Sequence, residues 1–306
     1  MHDILSLPEG VGDLIARPLR PDDAAAVATL IAAQELHDIG EAVIEEADII
    51  SDWQRPTFDV GSNTVGLFDG DALIGYAEFS GHDRGDAAVH PNFRGRGIGT
   101  SLAYWMQNHA RRAGSTLIGM PVPEGSPGDR LLVTLGYHIR WTSWVLALPE
   151  GRAIESQPLP SGFTLRTATE ADRKPTWRVL EDAFLEWSDR DRQTFEDFAA
   201  TVFLRPGFET WNLRVMADSA GEVVGAAYVF LADQTAFINK LAVRADQRGQ
   251  GIARALLVDA FAQARAHGAV KSELSTDSRT GALGLYERVG MEVTSVWVNR
   301  AIRLDV

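Results

Sequence analysis

The chain has 306 residues, 45% hydrophobic and 23% charged, which is typical of a globular protein with enough apolar material for two cores. It contains no cysteine, which excludes a disulfide framework, a zinc–cysteine site and a thiol nucleophile. The net charge of -13 argues against sequence-independent binding to nucleic acid or anionic lipid, since both require basic patches. Because neither a secretory signal nor a membrane-length apolar run is visible, we expect a soluble, cytoplasmic protein, and its preference for arginine over lysine suggests a bacterial source.

The sequence repeats itself at long range. Residues 94–137 align without a gap with residues 248–291 at a constant offset of 154, and ten of the 44 aligned positions are identical. A period this long indicates duplicated domains rather than a solenoid, whose repeats span about 20–50 residues. Upstream, an arginine and an aspartate six residues apart recur at an offset of 149: Arg17 and Asp23, then Arg166 and Asp172.

A segment rich in proline, residues 149–161, separates the two copies. It has few apolar side chains, which is typical of a linker. We therefore predict an N-terminal domain at residues 1–154 and a C-terminal domain at residues 155–306.

The second copy alternates predicted strands and helices, which indicates mixed α and β structure around a central sheet. Strand patterns are predicted at residues 163–166, 236–243, 270–275 and 291–303, and segments rich in valine and tyrosine predict a hairpin of strands at residues 212–217 and 222–231. Helical patterns predict helices at residues 172–187, 193–204, 251–267 and 280–289. Asp172 has the position and chemistry to cap the first of these helices.

One loop in each copy has the chemistry of a phosphate site. In the second copy a strand ends at Val243, a short loop carries an arginine and two glycines, and a helix follows. The first turn of a helix presents backbone N–H groups to an anion, and glycines allow that anion close to the backbone. Neither copy has the Gly-Lys-Ser/Thr of a P-loop or the third glycine spacing of a dinucleotide fold. A plain tight turn before a helix is the alternative, and finding the pattern twice at matching positions argues against it.

Two motifs identify a resemblance. Residues 248–253 and 94–99 both fit the Q/R-x-x-G-x-G/A motif of the GNAT acetyltransferases, and residues 282–291 resemble that family's second motif, A-x-x-L-Y-x-x-x-G-F. The resemblance covers nearly the whole chain as a tandem. It implies an α/β (α+β) fold of two tandem GNAT domains, each a central mixed twisted sheet with helices on both faces.

The family resemblance implies that acetyl-CoA lies between two splayed central strands, with its pyrophosphate on the loop amides. The seven histidines are scattered without metal-ligand spacing, so we expect no metal. In the second copy the implied contact residues are Leu241, Ala242, Val243, Arg248, Gly249, Gln250, Gly251, Ile252, Ala253 and Arg254. In the first copy they are Val89, Arg94, Gly95, Gly97, Gly99 and Thr100.

The second copy carries the implied catalytic acid. Tyr286 occupies the family's position for protonating the departing thiolate, whereas the first copy has Leu132 there. Leucine can donate no proton, so we expect a degenerate N-terminal domain and a catalytic C-terminal one. A tyrosine that only packs in the core is the alternative.

The catalytic base is left open by the sequence. Many members of the family carry a glutamate where this chain has Phe237, which cannot accept a proton. The candidates are Glu273 on the next predicted strand and a water molecule held by Asn239. Asp277 and Arg279 also depart from the family's usual pattern.

The acceptor pocket of the family is built by the first two helices and nearby loops, where this chain offers Glu186, Trp187 and Trp211. Carboxylates beside aromatic rings suit a cationic amine, although Phe184 and Trp187 also have helical core spacing. We expect N-acetylation of a small-molecule amine such as an antibiotic, a polyamine, an amino sugar or a mycothiol precursor. The alternatives are a catalytically silent acyl-CoA-binding or sensing protein and a protein acetyltransferase.

Overall fold

The computed structural model describes residues 13–305, which form two compact units. The first unit runs to Thr142 and includes the segment that begins at Trp297, and the second unit is Ser143–Val296. The division therefore falls within two strands. Between Ala147 and Thr164, which includes the predicted linker, the chain forms neither helix nor strand.

Twelve strands and nine α-helices occur in the described residues. The strands are β1 Ile15–Arg17, β2 Thr64–Asp69, β3 Ala72–Gly81, β4 Arg84–Val89, β5 Leu117–Pro123, β6 His138–Ala147, β7 Thr164–Thr167, β8 Leu213–Ala217, β9 Val223–Ala232, β10 Thr235–Val243, β11 Lys271–Asp277 and β12 Glu292–Arg303. The helices are α1 Ala24–Ile39, α2 Glu46–Trp53, α3 Val60–Asn63, α4 Ile98–Arg112, α5 Pro127–Thr134, α6 Arg173–Leu185, α7 Phe195–Thr201, α8 Ile252–Ala266 and α9 Leu283–Arg288.

The sheet of the second unit has the strand order β7-β8-β9-β10-β11-β6. All neighbours are antiparallel except β10 and β11, which are parallel. Strand β6 contributes residues 143–147, with Ala147 opposite Glu273 and Ser143 opposite Asp277.

The first unit repeats this topology with the order β1-β2-β3-β4-β5-β12. Its one parallel neighbour pair is β4 and β5, and residues 297–303 of β12 run antiparallel to β5. The mixed α/β fold with a central sheet, predicted from the alternation of elements, is confirmed.

Each sheet is covered on both faces, because alternate side chains of a strand point to opposite sides. In the second unit, Val224, Ala227 and Val229 of β9 pack in one core cluster with α8. Ala226 and Tyr228 of the same strand pack in another cluster with α6 and α7. The first unit likewise has one cluster with α4 and another with α1 and α2.

Within residues 13–305, no helix is long and apolar enough to cross a membrane. The same part of the chain has no group of three or more His, Asp or Glu side chains placed to hold a metal ion.

Candidate active site

The loop between β10 and α8, residues 244–251, has a backbone conformation that requires glycine at two positions. Gly249 and Gly251 have φ values of 78° and 81°, in the left-handed region, and Gly251 is the N-cap of α8. A Cβ built at either glycine would meet no described atom within 4 Å. The surface of this loop, here called the second loop, is therefore open at both glycines. The first N–H groups of α8 follow it, and N–H groups at a helix N-terminus stabilise a bound anion.

The loop between β4 and α4, residues 90–97, has the same form. Gly95 and Gly97 have φ values of 76° and 81°, Gly97 is the N-cap of α4, and a Cβ at either position would again meet open space. Gly99 differs, because its Cβ would lie 2.8 Å from the side chain of Leu131. Both units thus have an open loop with two left-handed glycines before a helix, here called the glycine cradle, at the position of the repeated motif.

The arginine that opens the second motif is held by the protein. Arg248 Nε donates to the carbonyl of Val243, 3.0 Å away, and its two terminal nitrogens donate to the carboxylate of Glu186, each at 2.7 Å. The guanidinium lowers the pKa of the Glu186 carboxyl from its usual value. Glu186 is the C-cap of α6, so this ion pair joins the loop to the end of that helix.

The first unit repeats this arrangement. Arg94 Nε donates to the carbonyl of Val89 at 3.4 Å, and its terminal nitrogens donate to the carboxylate of Asp38 at 2.6 and 2.9 Å. Asp38 lies at the end of α1.

The two parallel strands of the second unit separate beside the second loop. Their pairing runs from Thr235 opposite Lys271 to Ile238 opposite Leu274, where Asn239 forms a bulge in β10. Beyond it, Leu241, Ala242 and Val243 pair with β9, while residues 275–277 pair with β6. One edge of this gap is therefore the predicted acetyl-CoA strand, which leads directly into the second loop.

Tyr286 lies on α9 and is 8% exposed, within the core cluster that also contains Ile252 and Leu274. Burial raises the pKa of its hydroxyl to about 12. The hydroxyl therefore stays protonated at neutral pH and has a proton to donate. In the first unit Leu132 is 3% exposed in the equivalent core cluster.

The two candidate bases lie where the strands begin to separate. Glu273 is half-buried and pairs with Phe237, one position before the parallel pairing ends. Asn239 is exposed at the bulge. Leu274 belongs to the cluster with α8, so Glu273, its neighbour in the strand, points to the face covered by α6 and α7.

Trp187 lies on the face of the sheet that α6 and α7 cover, near side chains from β10 and from the end of β11. Its ring contacts that of Phe184 edge-on with centroids 5.3 Å apart, and the guanidinium of Arg279 lies 4.8 Å from its ring centroid. Arg279 also donates to Asp277 at 2.6 Å, and Lys240 Nζ lies 5.9 Å from the Phe184 ring. Lys240 was not among the site residues predicted from the sequence. Its position directly after Asn239 is the feature that could have indicated it.

Trp211 lies away from these groups. Its ring stacks on His267 with centroids 4.2 Å apart, at the C-terminal end of α8. The second loop is at the other end of this 15-residue helix, roughly 20 Å away at 1.5 Å per residue. The buried indole of Trp211 is thus packed in the core next to the far end of the helix.

Arg254, on the first turn of α8, donates through Nε to the carbonyl of Glu155 at 3.1 Å. It lines a cleft of about 400 Å³ together with Gly251 and the linker residues 156–160. The side chain expected to face a pyrophosphate is therefore turned toward the linker.

Comparison with known proteins identifies the family. The profile of the Acetyltransferase (GNAT) family matches residues 31–124 and 173–291. Among curated relatives, Mycothiol acetyltransferase of Salinispora arenicola is 30% identical over 254 residues, which cover 77% of this chain and 80% of the relative. The same-named protein of Thermobispora bispora is 26% identical over 290 residues, 88% and 92% of the two chains.

Solved structures agree on the fold. A GCN5-related N-acetyltransferase from Sphaerobacter thermophilus superposes with a TM-score of 0.73 at 28% identity, covering 97% of each chain. A tandem GNAT protein from the clavulanic acid biosynthesis pathway gives a TM-score of 0.73 at 17% identity, covering 96% of this chain and 99% of that one. The predicted resemblance to tandem GNAT proteins is confirmed. The duplicated cradle, the repeated topology and these matches show that the chain belongs to the acetyltransferase (GNAT) family and is an acyltransferase.

Proposed function

We propose that this chain transfers the acetyl group of acetyl-CoA to the amino group of a small molecule, and that the second unit performs the reaction. The observation that carries the proposal is a difference between two otherwise repeated units. Both have the glycine cradle, but only the second has a hydroxyl at the position after the cradle helix where the first has Leu132.

The geometry of the second unit fits acetyl-CoA. The open faces of Gly249 and Gly251 leave room for a pyrophosphate against the backbone N–H groups of residues 248–254. The strand edge at residues 241–243 suits the amide groups of the pantetheine arm, since it lies in the gap between β10 and β11. When bound, acetyl-CoA supplies an activated acetyl group and a thiolate leaving group.

Tyr286 is the proposed general acid. Its buried hydroxyl, with a pKa raised to about 12, is protonated at neutral pH. Such a group can donate a hydrogen bond or a proton to the departing sulfur.

Glu273 is the proposed base, either directly or through a water molecule that Asn239 also holds. The attacking amine must lose a proton to form a neutral amide, so a carboxylate near the mouth of the strand gap suits this step. The position of Glu273 at the last pairs of β10 and β11 supports this choice.

The proposed acceptor site is the face around Trp187, between α6 and the ends of β10 and β11. Charges of both signs meet there, from Lys240, Asp277 and Arg279. A polar amine with hydroxyl or amide groups suits such a surface. The names of the relatives make a mycothiol precursor the first amine to test, followed by amino sugars, polyamines and aminoglycosides.

The first unit is proposed to bind acetyl-CoA more weakly or to serve as a non-catalytic partner. Its cradle is built as in the second unit, while Leu132 can supply no proton.

The test is an amine panel with acetyl-CoA, in which free CoA is followed with a thiol reagent. The chain has no cysteine, so the reagent reports CoA without a background from the protein. For an acceptor that itself carries a thiol, the acetylated product is measured by mass spectrometry. We expect amine-dependent release that the Tyr286→Phe variant slows. Tight acetyl-CoA binding without turnover on any amine would favour a silent acyl-CoA-binding protein, and turnover on peptide lysines alone would favour a protein acetyltransferase.

A further inference from the structure

Both units tie the arginine of their loop to an acidic side chain at the end of their first long helix. In the second unit the pair is Arg248 and Glu186, and in the first it is Arg94 and Asp38. Each pair has two hydrogen bonds between guanidinium and carboxylate. The same arrangement occurs in both units, with a different acid in each. It therefore follows from the fold that the two units share and not from one particular acidic side chain.

The positions of the two acidic side chains do not stabilise the helices that carry them. A helix C-terminus carries partial negative charge, and an acidic side chain there is unfavourable. Glu186 is nevertheless the C-cap of α6, and Asp38 is the penultimate residue of α1. The arginine of the loop compensates this charge in both units.

The ion pair between Arg248 and Glu186 contributes little to the stability of the second unit. The side chains of Arg248 and Glu186 are 45% and 44% exposed, and pairs this exposed contribute about 0–1 kcal/mol to stability. What the pair fixes is geometry, because a bidentate contact sets both distance and orientation.

The guanidinium of Arg248 is held by three hydrogen bonds to two partners. Its Nε is bound to the last residue of β10, Val243, and its two terminal nitrogens to Glu186. The backbone of Arg248 leads directly into Gly249 and Gly251, the cradle glycines. The carboxylate therefore restrains the arginine from which the loop continues, beside the last residue of β10.

We propose that Glu186 is a positioning residue for the acetyl-CoA site, acting through Arg248, rather than a ligand of the acceptor amine; Asp38 has the same role through Arg94. The proposal rests on acetyl-CoA binding at the second loop, as given under the proposed function. It also links the two substrates, since the next residue, Trp187, lies at the proposed acceptor site.

The experiment measures acetyl-CoA affinity by calorimetry, together with kcat and both KM values, for Glu186→Gln, Arg248→Gln and the double variant. We expect each single change to raise the Kd and KM for acetyl-CoA about 5–10-fold, as for loss of one charge-assisted contact, with kcat within about twofold of wild type. The double variant should be no worse than either single one, since both remove the same contact. Glu186→Asp, which introduces the acid found in the first unit, should recover most of the affinity.

Asp182→Asn is the matched control, because Asp182 lies one turn earlier on α6 in an exposed ion pair with Arg192. It should bind acetyl-CoA as wild type does, and the melting temperature of every variant should stay near that of wild type. An unchanged acetyl-CoA Kd with a raised KM for the amine would overturn the proposal and make Glu186 an acceptor ligand. Additive losses in the double variant would also overturn it. A wild-type chain that binds no acetyl-CoA would instead overturn the proposed function on which this role rests.

Discussion

Arg166 and Asp172 face each other at the entry to α6, with their guanidinium and carboxylate groups joined by hydrogen bonds of 2.5 and 2.9 Å. Asp172 also accepts from the backbone N–H of Thr169, so its side chain closes the turn before the helix. It is the N-cap of α6 by position, as predicted, but it makes no side-chain hydrogen bond to that helix. The repeat in the first unit joins Arg17 and Asp23 by two bonds of 2.8 Å, which explains why this pair recurs in the sequence.

This pair leads to a stability prediction. The hydrogen bonds from Arg166 hold the pKa of the Asp172 carboxyl well below its usual range. A depressed folded-state pKa contributes stability that is present above about pH 4, the unfolded value, and is lost as the pH falls through the folded value. We expect Asp172→Asn to lower the free energy of unfolding by about 1–2 kcal/mol at pH 7. In thermal melts at pH 7 and pH 3 the deficit should shrink at the lower pH, and an equal deficit at both would contradict this account.

Tyr286 provides the sharpest test of catalysis. Phenylalanine keeps the ring in the core cluster and removes only the hydroxyl. General acids contribute about 10²–10⁴-fold, and we expect a loss near the lower end, since a thiolate is already a fair leaving group. Affinity for acetyl-CoA should barely change, as measured by calorimetry.

The pH profile adds a second readout for Tyr286. With a pKa of about 12, its ionisation contributes no alkaline limb in the working range, so wild type and Tyr286→Phe should share the same profile shape. If Tyr286→Phe has wild-type kcat on its best amine, and chemistry is shown to be rate-limiting, then Tyr286 only packs in the core and is not the general acid.

The cradle glycines test which unit binds acetyl-CoA. Gly251→Glu places a carboxylate at the open face of the second loop and should abolish the tighter acetyl-CoA site in calorimetry, while Gly97→Glu should affect only a weaker one. Gly221→Glu is the control, because Gly221 has the same φ of 81° and open surroundings in the β8–β9 turn. It carries the same backbone strain of about 1–2 kcal/mol without touching a loop. Loss of binding with Gly97→Glu but not with Gly251→Glu would reverse the roles of the units.

The proposed base has its own variant. Glu273→Gln keeps the size of the side chain and removes its ability to accept a proton. We expect kcat to fall about 10²-fold or more with acetyl-CoA affinity unchanged. Unchanged turnover from pH 6 to pH 9 would exclude Glu273 and favour a water molecule held at Asn239, which Asn239→Ala would then test.

A carboxylate pair in the first unit makes a further pH prediction. Asp86 lies opposite Glu78 in the β3–β4 pairing, and Glu78 accepts from the indole of Trp53 at 3.0 Å. Burial, followed by the charge of Glu78, raises the pKa of Asp86 to about 7. The folded state then holds a proton that the unfolded chain releases near pH 4, so this group lowers stability as the pH rises from about 4 to 7.

Asp86→Asn should therefore raise the melting temperature at pH 8, by the equivalent of at least about 1 kcal/mol, and have little effect at pH 4. Melts at the two pH values check this. A stabilisation that is the same at both, or a loss at pH 8, would show that the carboxylate is not strained by its neighbour.

Local structure followed closely from sequence patterns. The predicted strand at residues 236–243 is β10 Thr235–Val243, and the predicted helix at 251–267 is α8 Ile252–Ala266, because alternation and helical spacing are local properties. The cradle glycines were found for the same reason, since motif and conformation lie within six residues.

Long-range partners were not accessible in this way. Glu186 and Arg248 are 62 residues apart, and nothing in the spacing of either indicates the other. Trp211 was predicted in the acceptor pocket because it lies in the region from which the family builds that pocket, but its ring stacks on His267 at the far end of α8. The strand at residues 291–303 was expected as one element, but periodicity carries no information on which strand it pairs with.

The path of β12 bears on how this protein is made. Residues 297–303 pair with β5, so the sheet of the first unit gains its last strand from a segment that follows the second unit in the sequence. On a ribosome, that unit cannot finish folding until the second unit and β12 have been synthesised, and until then β5 presents an edge that can recruit another chain. A fragment cut in the proline-rich linker would keep this exposed edge permanently.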